Sequence, residues 1–277
     1  MKIVDSQVHI WYPDTPERPW PPATELKPQR ERAFTLEDLL PEMRAAGIDR
    51  AIIVPPGWEG NRNDRAIEAA RLYPDRFRVM GRFQLNVTES REKVATWKQQ
   101  PGMLGVRLTF ARGNERSWLT DGTADWFWPA AERAGLGVMI YTPGNLPPVK
   151  KIAERYPGLK LIIDHMGIPR DTKDEEAFRH IGELCEFARF SNVAVKASAL
   201  PCYSSESYPY PKLHPYVKRA YDAFGPKRLF WGSDFTRLPC GYFLSRTLFT
   251  EEMKWFTIED LEWIMGRGVC EWFGWPL

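Results

Sequence analysis

The sequence is short of the features that would place a chain in a membrane, on a nucleic acid or in a stapled secreted fold. It has no run of about 18 apolar residues that could form a spanning helix. Its first residues, Met1 to Asp5, lack the apolar core of a secretory leader. Net charge is only +2, from 38 Lys and Arg against 36 Asp and Glu, with no basic block. Nucleic-acid binding therefore has no electrostatic footprint. Cysteine is scarce: Cys185, Cys202, Cys240 and Cys270 are scattered, and none forms a CxxC pair. A chain of 277 residues buries a sizeable core without staples. The thiols are expected to be reduced, as in a cytoplasmic protein, with a disulfide between two of them as the alternative. Internal repeats, low-complexity tracts and interdomain linkers are lacking too, so one domain over residues 1–277 is expected.

Eight short apolar segments rich in β-branched residues are present: 3–11, 50–55, 78–85, 105–110, 137–142, 160–166, 193–200 and 228–235. Between them lie helical patterns. One opens at Thr35 with Glu37 and Asp38 in its first turn and closes at Gly47. Others cover 63–73, 90–99, 124–134, 146–156, 174–190, 213–224 and 247–256, and a last one covers 258–273. Such alternation implies parallel strands joined by helices. Eight units fit a single α/β domain, a (β/α)8 TIM barrel with an extra C-terminal helix, with an open α/β sheet as the alternative. In a closed barrel the chemistry sits at the carboxyl ends of the strands. Polar residues cluster there: Asp5, Gln7 and His9; Arg107; Tyr141; Asp164 and His165; Lys196 and Ser198; Ser233 and Asp234. Two long loops, 12–34 and 201–212, follow strand ends on the same face. Long ordered loops there shape a pocket, or else plug the barrel mouth or make a subunit contact. The outer helices carry no unmistakable apolar patch.

Side-chain alternation puts Asp5, Gln7 and His9 on one face of the first strand, with Ile3 at the barrel bottom. A His-x-His pair there would supply two metal ligands, but Gln7 takes the first place. Asp164 and His165 fall on opposite faces, so only one enters the barrel easily. Asp234 follows two small residues at the end of an apolar strand, where a carboxylate is costly to bury without a partner or a task. Its plainer explanations are a helix cap or a salt bridge to Arg237. Lys196 could pair with Asp164, bind an anionic substrate or, if desolvated, form a Schiff base.

Six segments, in this order, carry a family resemblance: 5–11 (DSQVHIW), 105–107 (GVR), 163–167 (IDHMG), 195–200 (VKASAL), 231–237 (WGSDFTR) and 263–273 (WIMGRGVCEWF). On these the chain resembles the amidohydrolase-2 branch of the amidohydrolase superfamily. Within it, the chain looks like metal-independent lactone hydrolases of the 2-pyrone-4,6-dicarboxylate lactonase type. That resemblance implies Asp234 as the general base that activates water. It implies His165 and His9 as donors to the developing oxyanion, with the Gln7 amide as a further donor. It also implies Arg107 as a clamp for a substrate carboxylate and Tyr141 at the pocket. An ordinary arginine pairing with a buried acid, and a core tyrosine, are the alternatives for those two. Metal-dependent members use His-x-His on strand one, often Lys or Glu on strand four, histidines on strands five and six, and Asp on strand eight. Only His9, His165 and Asp234 of that set are present. No cofactor is therefore expected, with a single zinc on those three residues as the alternative. The expected activity is opening of a lactone or related cyclic ester or amide on a carboxylated small molecule. A metal-dependent decarboxylase and a non-catalytic binding barrel are the rivals.

Overall fold

The computed structural model describes residues 1–21 and 27–277. Each apolar segment overlaps a strand: β1 (Val4–Val8), β2 (Arg50–Ile53), β3 (Phe77–Arg82), β4 (Met103–Thr109), β5 (Gly137–Tyr141), β6 (Leu161–Ile163), β7 (Val193–Ser198) and β8 (Leu229–Gly232). They pair in parallel, each with the next in sequence order. Between β8 and β1 the seam is made by Ser6 Oγ donating to the Trp231 carbonyl (2.6 Å) and Asp234 N–H donating to the Gln7 carbonyl (2.8 Å). Gly232 belongs at this seam because a Cβ there would lie 2.7 Å from Ser6 Oγ. The result is the (β/α)8 barrel that the alternation implies.

The surrounding helices are α1 (Leu36–Ala46), α2 (Asp64–Leu72), α3 (Ser90–Lys93), α4 (Phe127–Arg133), α5 (Pro147–Arg155), α6 (Asp174–Ala177), α7 (Ile181–Glu186), α8 (His214–Phe224), α9 (Tyr242–Thr247), α10 (Ile258–Glu262) and α11 (Gly268–Phe273). α1 starts after Thr35, whose N–H donates to Asp38 (2.9 Å), and ends at Gly47 in the left-handed region (φ 69°). These are the boundaries its sequence signals. The pattern at 174–190 divides into α6 and α7, and 90–99 finishes in the tighter turns of Val94–Gln99. The helix expected over 247–256 begins earlier, at Tyr242 after the extended Gly241. The early start buries Tyr242 and brings its hydroxyl onto Asp5.

Val4, Ile52, Met80, Met139, Ile162 and Phe230 fill the lower barrel. α11 closes that end with Val269, Cys270 and, just beyond it, Trp275. The bend before α11 is at Gly266, where a Cβ would lie 2.6 Å from the Lys2 carbonyl. A side chain at Gly266 would push the closing helix off the start of β1. The four cysteines are free thiols. Among the described residues no helix is long and apolar enough to cross a membrane.

Two expectations drawn from alternation do not hold. β1 shifts register against β2 between Asp5 and Val8. Val4, not Ile3, enters the barrel, and Asp5 turns to α9 while Gln7 and His9 point inward. At the end of β6, His165 and Met166 take left-handed backbone (φ 51° and 54°). The strand's period ends there, and Asp164 and His165 both reach the barrel interior.

Candidate active site

Above the apolar layer lies a fully buried charged layer. The Lys196 ammonium touches Met139 Sδ (3.2 Å) below, pairs with Asp164 Oδ1 (2.7 Å) and donates to Gln7 Oε1 (2.6 Å). Asp164 Oδ2 accepts from Arg107 Nε (3.0 Å). Burial would raise the Asp164 carboxyl, but the charges of Lys196 and Arg107 hold it below its ordinary range. An ammonium only donates, so Gln7 must turn its amide oxygen to Lys196 and its NH2 toward His9 Nε2 (3.3 Å).

Asp5 supports the same strand ends from outside. Its carboxylate accepts from the N–H groups of Gln7 and Ser233 (both 2.8 Å), from the Tyr242 hydroxyl (2.6 Å) and from the Ser233 hydroxyl. Burial pushes its pKa up to about 6, against the pull of these donors.

On this platform stand His9, His165 and Asp234. His9 Nδ1 lies 2.5 Å from the Val54 carbonyl, which only accepts, so Nδ1 carries a proton. His9 Nε2 faces Asp234 Oδ1 at 3.2 Å. His165 Nδ1 contacts Ser198 Oγ (2.7 Å), and its Nε2 faces Asp234 Oδ2 at 4.0 Å. Burial pulls His165 down to about 3, which makes it a neutral imidazole near neutrality. For Asp234, burial acts upward but is overridden by the hydrogen bond and charge of His9, then by Arg237 and His165. Its carboxyl is held well below the usual range. Arg237 Nη1 stands 3.5 Å from Asp234 Oδ2, so the salt bridge considered from sequence does form. Asp234 is itself left-handed (φ 52°), as is Ala199 (φ 56°) beyond β7. Strained backbone thus gathers at the carboxyl ends of β6, β7 and β8.

A cavity of about 280 Å³ opens above these three residues. His9, Arg107, Tyr141, His165 and Asp234 line it, whereas Gln7 and Lys196 lie one layer below. Sequence reasoning passed over much of the wall: Trp58 beyond β2, Arg82 at the end of β3, Arg112 and Glu115 beyond β4, Arg170 beyond β6, and Gln29 from the first long loop. Arg82 could have been found by noting every cation at a strand end. The loop residues carry no motif. Residues 22–26 of the 12–34 loop lie outside the described residues. The second loop, 201–212, contributes no residue to this cavity. Among the described residues the lining includes five arginines (82, 107, 112, 170 and 237) and two acids, Glu115 and Asp234. Tyr141 Oη, Trp58 Nε1 and Arg82 Nε are buried and have no hydrogen-bond partner among the described residues. Arg82 neighbours Arg107 across the β3–β4 register, and burial followed by that like charge lowers its pKa to about 10.

The donor set fits a metal ion poorly. Among the described residues no group of three or more His, Cys, Asp and Glu side chains is arranged to hold one. Gln7 turns its NH2, which cannot ligate, to the His9 side, because Lys196 takes the oxygen. Asp234 already faces a guanidinium.

A barrel whose carboxyl end holds an ionised aspartate between two imidazoles is the frame of a hydrolase. The chain belongs to the amidohydrolase family, whose model matches residues 4–267. It is 29% identical over 238 residues to an L-fucono-1,5-lactonase of Burkholderia ambifaria, covering 84% of this chain and 79% of that one. It is 26% identical over 247 residues to a 4-sulfomuconolactone hydrolase of Hydrogenophaga intermedia, covering 86% and 75%. Among solved structures, an amidohydrolase of Burkholderia multivorans with bound zinc superposes with a TM-score of 0.81 at 21% identity, over the whole of both chains. A putative 2-pyrone-4,6-dicarboxylic acid hydrolase of Pseudomonas putida gives 0.78 at 20% identity, over 100% and 98%.

Proposed function

We propose that this enzyme opens a small lactone bearing one or more anionic groups, without a metal ion. The observation that carries the reading is the ionised Asp234, set between His9 and His165 on the floor of a cavity walled by arginines. The sequence relatives named as lactone hydrolases support the ester chemistry. Arg82, buried in the cavity wall with its Nε lacking a hydrogen-bond partner among the described residues, and Arg107 beside it support an anionic substrate. Family membership speaks for an enzyme over a non-catalytic barrel.

The reaction then runs as follows. Asp234 takes a proton from water as the water oxygen bonds to the lactone carbonyl carbon. With Ser198 donating to His165 Nδ1, the neutral ring carries its proton on Nε2 and gives a hydrogen bond to the oxyanion. Arg107, fixed by Asp164 and Thr109, and Arg82 hold the substrate anion. When the tetrahedral intermediate collapses, the ring C–O bond breaks and the alkoxide takes the proton back from Asp234. The product is a hydroxy acid, which ionises and releases a proton to solvent. His9 keeps Asp234 anionic and aimed into the cavity throughout.

Proton release is the test, measured in weak buffer with L-fucono-1,5-lactone, 4-sulfomuconolactone and 2-pyrone-4,6-dicarboxylate. Turnover of at least one is expected, fastest with an anionic lactone, and unchanged by a chelator. No turnover of any lactone would overturn the hydrolytic assignment. One tightly held zinc per chain, with activity tracking its content, would overturn the metal-free one and favour the metal-dependent alternative.

A further inference from the structure

Gln29 reaches the reacting carboxylate from a loop that carries no recognisable motif. Its amide nitrogen lies 3.4 Å from Asp234 Oδ1, and its amide oxygen meets the Thr236 hydroxyl. The orientation follows from the partners. An ionised carboxylate only accepts, so the NH2 must face Asp234, the oxygen must face Thr236, and the hydroxyl must donate. The segment behind Gln29 is fastened down. Arg30 lies over the rings of Phe34 (4.8 Å) and Phe235 (4.7 Å), and its Nε donates to the Thr236 carbonyl (3.3 Å). Phe34 in turn accepts from Trp11 N–H (2.8 Å). The turn that carries Asp234 and the loop that carries Gln29 are therefore locked to each other.

We infer that Gln29 is a positioning residue that orients Asp234 by donating to Oδ1. This rests on the proposed role of Asp234 as base. Oδ1 is shared by Gln29 and His9 Nε2, whereas Oδ2 faces Arg237. Without the Gln29 donor His9 alone holds Oδ1, and the carboxylate turns more readily toward Arg237, away from the water it must deprotonate. A small misplacement of a reacting group costs up to about 100-fold in rate.

Two substitutions separate this role from that of a loop anchor. Gln29→Met keeps the length of the side chain and loses both hydrogen bonds. Gln29→Glu keeps an acceptor for Thr236 and replaces the donor by a second carboxylate. With the lactone that the wild type turns over fastest, both variants are expected to lose about 10- to 100-fold in kcat, with KM changed less than about threefold. Gln29→Glu should be at least as impaired as Gln29→Met. A Gln29→Glu enzyme with normal kcat would overturn the inference and leave Gln29 as an anchor. A raised KM with kcat intact would overturn it in favour of substrate binding. If the wild type opens none of the three lactones, the lactonase reading fails by itself, and crystal structures of wild type and Gln29→Met still decide the positioning. A reoriented Asp234 carboxylate in the variant supports it, and an unmoved one overturns it.

Discussion

The two ends of the barrel are built on opposite principles. The lower end is a stack of apolar side chains, Val4, Ile52, Met80, Met139, Ile162 and Phe230, closed by α11. The upper end holds Lys196, Asp164, Arg107, His9, His165, Asp234 and Arg237 within a few layers of one strand set. Close packing below supplies stability that tolerates no extra volume. The charges above are held in place before any substrate arrives, at a cost in desolvation. The layer of Lys196 and Asp164 joins the two, since its ammonium rests on Met139 and its carboxylate fixes Arg107.

Cutting the top should remove activity and spare the fold. Asp234→Asn keeps the shape and loses the base, so kcat should fall by about 10²- to 10⁴-fold. Thermal melting should fall with the chain still folded, because the carboxylate that pairs with His9 and Arg237 has gone. A folded variant with near-normal turnover would remove Asp234 from the chemistry.

Cutting the joining layer should damage both ends. Lys196→Met strands the buried Asp164 carboxylate, and breaking such a pair costs about 3–5 kcal/mol. Urea unfolding of the variant measures it, and adding Asp164→Leu should restore much of the loss. If the single variant is as stable as the wild type, the layer is not the joint described here.

Cutting the bottom should do the reverse of the first experiment. Ile162→Ala leaves a cavity in the apolar layer beneath the charged one and should cost about 2–5 kcal/mol, with kcat and KM changed little. A change in kcat would show that the two ends are mechanically coupled.

The smallest effect concerns pH. Burial holds His165 at about 3, so it stays unprotonated in the folded chain where the unfolded chain binds a proton, up to about pH 6.5. Stability from this group rises with pH across that window. Asp5, pushed up to about 6, keeps a proton in the folded chain that the unfolded chain has lost above about pH 4. Its contribution is present at low pH and fades as pH rises through about 6. Denaturant midpoints at several pH values between about 3 and 6.5 should respond in opposite senses. His165→Asn flattens the rise of stability with pH, and Asp5→Asn steepens it. Changes of the same sign would refute one of the two assignments.

The barrel was legible because eight apolar segments alternate with helical ones, and β5 falls within one residue of the segment read from sequence. The faces were less legible. Strict alternation assumes an unbroken strand, and nothing in the sequence announces the shift at Asp5 or the left-handed residues His165 and Met166. His9, His165 and Asp234 could be named together because they sit at strand ends in motifs of fixed order. Arg112, Arg170 and Gln29 could not, because they come from loops whose paths depend on contacts distant in sequence. Gln29 meets Thr236 only after the whole barrel has closed.

Beyond β1 the chain passes Trp11 and returns to the same point at Phe34, where the two residues form an antiparallel bridge. The segment between them is therefore closed at its base by this neck. Doubling the length of such a segment costs only about 0.6 kcal/mol in closure entropy. Descendants of this barrel could lengthen it ahead of Gln29, trading one molecular diet for another, while the neck and the Gln29 contact stay in place.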